Sequence, residues 1–168
     1  MSYLLDIESF DLNNGIYNSD KLYCQCKKCK PLIYGYIPVE QSLLVKVECL
    51  RIKLEMYEGK QVYVEIHSGY RCIEHDKEIN PKGKNRTHAK RKAVDVKFFI
   101  LEGKNKKYIS PVIIGEIAIK MGIFCGIGIY QSTERHNHFD IFPRYGKNKM
   151  LIWKKYNGDI QYDIKEIS

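Results

Sequence analysis

Residues 136–142 read HNHFDIF, and this alternation leaves the chain few ways to fold. In a β-strand every second side chain shares a face. His136, His138 and Asp140 then line one side, and Phe139 and Ile141 the other. Such a strand needs a sheet with one face packed on a core. Its polar face is either solvated or one wall of a reactive site. The same period of two recurs in QVYVEIH (61–67), through Val62, Val64 and Ile66, and in KAVDVKFF (92–99). In the latter, Val94, Val96 and Phe98 face one way while Ala93 and Asp95 face the other.

Elsewhere the period is helical. Pro38 opens a helix in which Leu43, Leu44, Val47, Leu50 and Leu54 recur at helical spacing, and Gly59 ends it. Ser110 caps a second helix, which starts at Pro111 and runs through Ile114, Ile117 and Ala118 to Gly122. SGYR (68–71) makes a turn, CIEHDKEI (72–79) fits a short helix, and NPKGKN (80–85) is a loop. GIGIY (126–130) is a short strand, and the tail forms two strands around Asn157-Gly158, a strong hairpin signal. No repeat or linker divides the 168 residues. The expectation is one α+β domain, with N-terminal helices packed on a small, mostly antiparallel sheet. Residues 1–37 read as an irregular, Cys-containing segment and 145–168 as a C-terminal hairpin.

With 44% hydrophobic residues the chain should be globular. No apolar run approaches the length that spans a bilayer, so no membrane insertion is expected. MSYLLDIESFDLNNG carries acids and no basic start, unlike a secretory signal. Synthesis in the cytoplasm, with release or another export route, is the corresponding expectation. The net charge of +8 fits either a solvated basic surface or attraction to a polyanion. Nucleic acid, an anionic membrane and a bacterial cell wall all qualify. Of six cysteines, Cys24, Cys26 and Cys29 sit in CQCKKC, with no clean second cluster to complete a zinc knuckle. Thiols tucked against the core are the expectation.

His88, Asp95 and His138 offer the chemistry. Two imidazoles and a carboxylate suit Zn²⁺ and leave a fourth position for water. Spacing alone leaves a second possibility: His88 in a basic loop, Asp95 paired with a lysine, His138 on a strand surface. Asp95 lies between Val94 and Val96, so it is half-buried and needs a partner, a metal or an arginine. SGYR puts Arg71 at a sheet end, either to grip a carboxylate or oxyanion or to hold the loop.

Together, HSGYRCIEHD, THAKRKAVDV, GIGIY and HNHFDIFPR resemble the zinc D,D-carboxypeptidase and L-alanyl-D-glutamate peptidase family, its cell-wall and phage members above all. The family pattern is Ser-Gly-Tyr-Arg, then Ser-x-His-x-x-Gly-x-Ala-x-Asp, then a Gly-rich strand ending in Tyr, then His-x-Asp. The resemblance covers about residues 23–144, including the Cys-rich segment, and extends in fold to the hedgehog signalling domain. It implies that His88, Asp95 and His138 hold one zinc ion, that Arg71 contacts substrate, and that His136 stabilises the tetrahedral intermediate. Asp140 would orient ligands from behind. Three positions depart from the pattern: Arg86 replaces its Ser, Arg91 its Gly, and Arg135 the carboxylate of many relatives. Glu134, one residue earlier, is the remaining candidate for the general base.

The implied activity is zinc-assisted hydrolysis of an amide in peptidoglycan stem peptides, by a monomeric hydrolase such as a phage endolysin. A zinc-binding but non-catalytic wall-binding or interaction domain of the same fold is the alternative, favoured by Arg135. A nucleic-acid module using KGKNRTHAKRK and thirteen tyrosines would leave Asp95, Arg71 and the His-x-Asp strand unexplained, so no specific nucleic acid is expected.

Overall fold

A computed structural model describes residues 16–17, 19–26, 39–131, 135–146 and 148–167. Its sheet contains strands β1 (Ile16–Tyr17), β2 (Tyr63–Ser68), β3 (Ala93–Glu102), β4 (Asn105–Tyr108), β5 (Gly126–Tyr130), β6 (Asn137–Asp140), β7 (Lys149–Tyr156) and β8 (Asp159–Glu166). Their order is β1-β2-β3-β6-β5-β7-β8, with β4 paired to the outer part of β3. Only β1/β2 and β5/β7 run parallel among these pairs, so the fold is α+β with a mostly antiparallel sheet.

Helices α1 (Gln41–Glu58), α2 (Ile73–Ile79) and α3 (Pro111–Met121) are interleaved with the strands. The expectation of helices first and sheet afterwards is therefore corrected: β2 and β3 separate the three helices along the chain. The stretch 1–37 is also not wholly irregular, because β1 and a 3₁₀ turn at Ser19–Leu22 fall within it. Pro38 lies outside the described residues, and Glu40 is the residue that precedes α1.

Period explains the core. Leu43, Leu44, Val47, Leu50 and Leu54 are the buried residues of α1, one stripe of a helix that Gly59 closes at φ 65°. Ser110 Oγ accepts the Val112 N–H at the start of α3. These helices share one core with Val64 and Ile66 of β2, Val94, Val96 and Phe98 of β3, Ile127 and Ile129 of β5, and Phe139 of β6. By strand alternation, His67, Asp95, Tyr130, His138 and Asp140 are left on the opposite face.

Two loops anchor that second face. In the first, the Gly69 and Tyr70 N–H groups donate to the carbonyls of Lys21 and Leu22, both at 2.8 Å. A β-carbon on Gly69 would fall 2.5 Å from the Leu22 carbonyl oxygen, so only glycine fits. The second loop, 86–92, is a tight coil in which the Lys90, Arg91 and Lys92 N–H groups donate to Arg86, His88 and Thr87 carbonyls. Arg86 and Arg91 take left-handed backbone conformations there, φ 46° and 65°. Arg91 thus stands, at the position of the pattern's glycine, in a conformation that glycine adopts without strain.

Replacing Gly69 by Ala should destabilise the protein by ~1–3 kcal/mol, the usual cost of forcing an extra carbon into a filled space. A lowered urea midpoint with unchanged slope would register it; an unchanged midpoint would contradict the close approach to Leu22.

Candidate metal centre

His88 Nε2, Asp95 Oδ1 and His138 Nδ1 converge on one point. The separations are 3.2 Å between the two imidazole nitrogens, 2.8 Å from His138 to Asp95 and 3.4 Å from His88 to Asp95. For bonds of 2.0–2.1 Å, the ligand atoms of a tetrahedral zinc are spaced at about 3.3 Å. All three residues are buried. β3 and β6 set two of them side by side, since Asp95 and His138 are direct partners in the antiparallel register. His88 arrives from the 86–92 coil.

The far side of each ligand is fixed. His88 Nδ1 lies 2.6 Å from the Gly69 carbonyl, which only accepts, so Nδ1 carries the proton and Nε2 presents a lone pair inward. His138 Nε2 donates to Asp140 Oδ2 at 3.2 Å, which turns the Nδ1 lone pair inward as well. Asp95 Oδ2 accepts from Arg71 Nη2 at 2.8 Å, leaving Oδ1 to the centre. Two lone pairs and a carboxylate oxygen facing one another repel unless a cation sits among them. The donor set therefore fits a metal ion, or protons in its place.

Asp140 is the most enclosed of these groups. Besides His138 it accepts two bonds from Arg144, at 2.9 and 2.6 Å, and one from the Phe142 N–H. A β-carbon on Gly126 would lie 2.3 Å from its Oδ2. Gly128, two residues along β5, admits the Trp153 indole, which packs 5.0 Å from the His138 ring and donates to Tyr130 Oη.

Electrostatics follow from this geometry. Burial alone would raise the Asp95 pKa, but electrostatic attraction to His88 and the His138 hydrogen bond outweigh it and hold the carboxyl well below the usual range. Burial would lower His138; its hydrogen bonds to Asp140 and Asp95 win and raise it from 6.5 to about 9. Asp140 ends lowered, burial being offset by His138 and Arg144.

Around the centre lies an open cleft of about 600 Å³. Arg71, Lys84, Arg86, Arg144 and Lys155 line it, against two carboxylates, Asp76 and Asp95, among the described residues. His136 lines it too, stacked on Tyr130 at 4.4 Å and His67 at 5.1 Å. Arg71, expected at the substrate, is engaged with Asp95 and with Ser68 Oγ at 3.0 Å, so it holds both the ligand and the turn while facing the cleft. Arg86 donates to Asp76 at 3.0 Å. Glu134 lies outside the described residues. Arg135 is exposed with φ 37°, and β6 begins only at Asn137, so the strict alternation of faces within β6 does not include Arg135.

Sequence reasoning missed a second cluster. Cys24 and Cys26 meet Cys72 and His75 rather than lying singly against the core. The Cys-x-x-His spacing of residues 72–75 was the available signal. Cys29 lies outside the described residues. No family model matches the chain, and no curated protein matches it in sequence.

Two outcomes follow. A histidine held above 6.5 supports the metal-free fold fully below that pH, and the support is lost as pH rises through about 9. Metal-free protein should therefore lose thermal stability across that interval while zinc affinity climbs, because the bound proton must leave. Melting curves with chelator and with zinc check this; a flat metal-free profile would contradict it. In addition, Asp140→Asn should weaken zinc binding ~10–100-fold, measured by competition with a chelating dye.

Proposed function

We propose that the chain is a zinc-dependent peptidase that hydrolyses an amide bond in peptidoglycan stem peptides, as the resemblance to the D,D-peptidase family implies. The observation that carries this reading is the convergence of His88 Nε2, His138 Nδ1 and Asp95 Oδ1 at 2.8–3.4 Å on the floor of an open cleft. Zinc in that donor set supplies a Lewis acid that makes water nucleophilic near neutral pH.

The protein's own residues do the rest. Gly69, Arg71 and Asp140 fix the three ligands in orientation. Trp153 packs against one flank of His138. His136, which lines the cleft, donates a hydrogen bond to the oxyanion of the tetrahedral intermediate in this reading. Glu134 takes the proton of the attacking water and returns it to the leaving amine. The cationic lining of Lys84, Arg86, Arg144 and Lys155 suits stem peptides, which carry several carboxylates. This excess of cations, within a chain of net charge +8, also favours an anionic wall as the working surface. No described helix is long and apolar enough to cross a membrane.

One observation favours the second reading, a zinc-bearing domain that binds wall without cleaving it. Both carboxylates of the cleft lining are engaged, Asp95 by Arg71 and the histidines, Asp76 by Arg86. That reading predicts metal binding, no cleavage and no effect of Glu134→Ala.

Purified wall with mass spectrometry of the released fragments separates the two. Wild-type protein should release stem-peptide fragments, and His88→Ala should lose that activity by ~10³-fold or more together with the metal. Full wall cleavage by His88→Ala would overturn the peptidase reading. Metal binding without any fragments would leave the non-catalytic one.

A further inference from the structure

Among the described residues, Cys24, Cys26 and Cys72 form a group of ligand-type side chains that the cleft chemistry leaves unused. Cys24 Sγ lies 3.2 Å from His75 Nδ1, and Cys26 Sγ lies 3.5 Å from Cys72 Sγ. The sulfurs of Cys24, Cys26 and Cys72 all fall within 4.8 Å of one another. With Zn–S near 2.3 Å and Zn–N near 2.0–2.1 Å, a tetrahedral ion spaces sulfurs at about 3.8 Å and sulfur from nitrogen at about 3.6 Å. The Cys24–His75 and Cys26–Cys72 separations are a few tenths of an ångström shorter, and His75, which meets Cys24 but falls outside the group of three sulfurs, must turn inward to complete the set.

Backbone N–H groups point at two of the sulfurs. The Cys72 N–H donates to Cys24 Sγ at 3.2 Å, and the His75 N–H donates to Cys72 Sγ at 3.4 Å. Three thiolates and an imidazole are a soft ligand set that selects zinc over magnesium or calcium. All four tetrahedral positions come from the protein, which leaves none for water or substrate.

Placement gives the cluster a purpose. It joins two stretches far apart in sequence, one following the 3₁₀ turn and the other opening α2. Between them lie the Gly69–Lys21 and Tyr70–Leu22 backbone bonds. The Gly69 carbonyl orients His88, and Arg71, next to Cys72, orients Asp95. We propose that Cys24, Cys26, Cys72 and His75 form a second, structural zinc site, which clips residues 19–26 to the turn 69–72 and braces His88 and Asp95 from behind.

This site is independent of whether the cleft cleaves peptides, and the test keeps the two apart. Full-length protein is purified under reducing conditions, stripped, and titrated with Co²⁺ and then Zn²⁺. Thiolate-to-cobalt charge transfer in the near ultraviolet reports on the cysteine cluster alone, because the cleft ligands contain no sulfur. The expectation is about two zinc ions per chain and a charge-transfer band that saturates at about one cobalt. The band should persist in His88→Ala and in Cys49→Ser, whose thiol is exposed on α1. It should vanish or fall severalfold in Cys26→Ser and Cys72→Ser. His75→Cys, which keeps four ligands, should retain the metal and strengthen the band, and so guards against misreading an unfolded variant. No charge-transfer band in the wild type would overturn the proposal. So would a band indifferent to Cys26→Ser and Cys72→Ser, or a Cys26–Cys72 disulfide in protein handled without oxygen.

Discussion

A carboxylate in the middle of an apolar strand sets the terms for the rest of the molecule. Asp95 sits in β3 between Val94 and Val96, both fully buried, and its own side chain is almost as enclosed. An ionised group there is tolerated only if each oxygen has a partner. Arg71 takes one oxygen and the two histidines face the other. Each partner must then be held in turn: Arg71 by the turn that Ser68 closes, His88 by the Gly69 carbonyl, His138 by Asp140. One buried charge thereby dictates the conformation of two loops, 68–71 and 86–92, and of strand β6.

The sheet makes this possible by dividing labour between its faces. The helix side holds Val64, Val96, Ile127 and Phe139 in a continuous core. The other side is polar yet buried, an expensive combination that single-sided packing would not tolerate in water. Rigidity of the first face is what lets the second keep its donors at fixed separations.

Much of this was legible in the residue order. Alternation placed Asp95 and His138 on one face, and helical spacing named the buried stripe of α1 residue for residue. What escaped was whatever depends on long-range pairing. The hairpin β3–β4 turns at Gly103, where the polarity of LEGKNKKY (101–108) hides a strand, β4, whose residues are all exposed. The position of β1 beside β2 rests on two residues of backbone pairing, too short to leave a periodic signal. Arg71 offered two roles from its sequence context, and only the fold shows it against Asp95. The meeting of Cys24 and Cys26 with Cys72 spans more than 40 positions, so spacing within either segment could not reveal it.

Gly126 and Gly128 deserve a different reading from the other glycines. Neither has a positive φ; what they supply is absence. Their missing side chains cut a furrow along β5, into which Asp140 leans from β6 and Trp153 from β7. Sequence drift is therefore blocked in the floor, where any added carbon strikes a group that steadies His138. It is open on the β7–β8 hairpin, whose Lys155, Ile160 and Tyr162 also line the cleft but touch no metal ligand by hydrogen bond or ion pair. Descendants of this chain that changed their preferred ligand would be expected to differ first along that hairpin, with the furrow beneath them left intact.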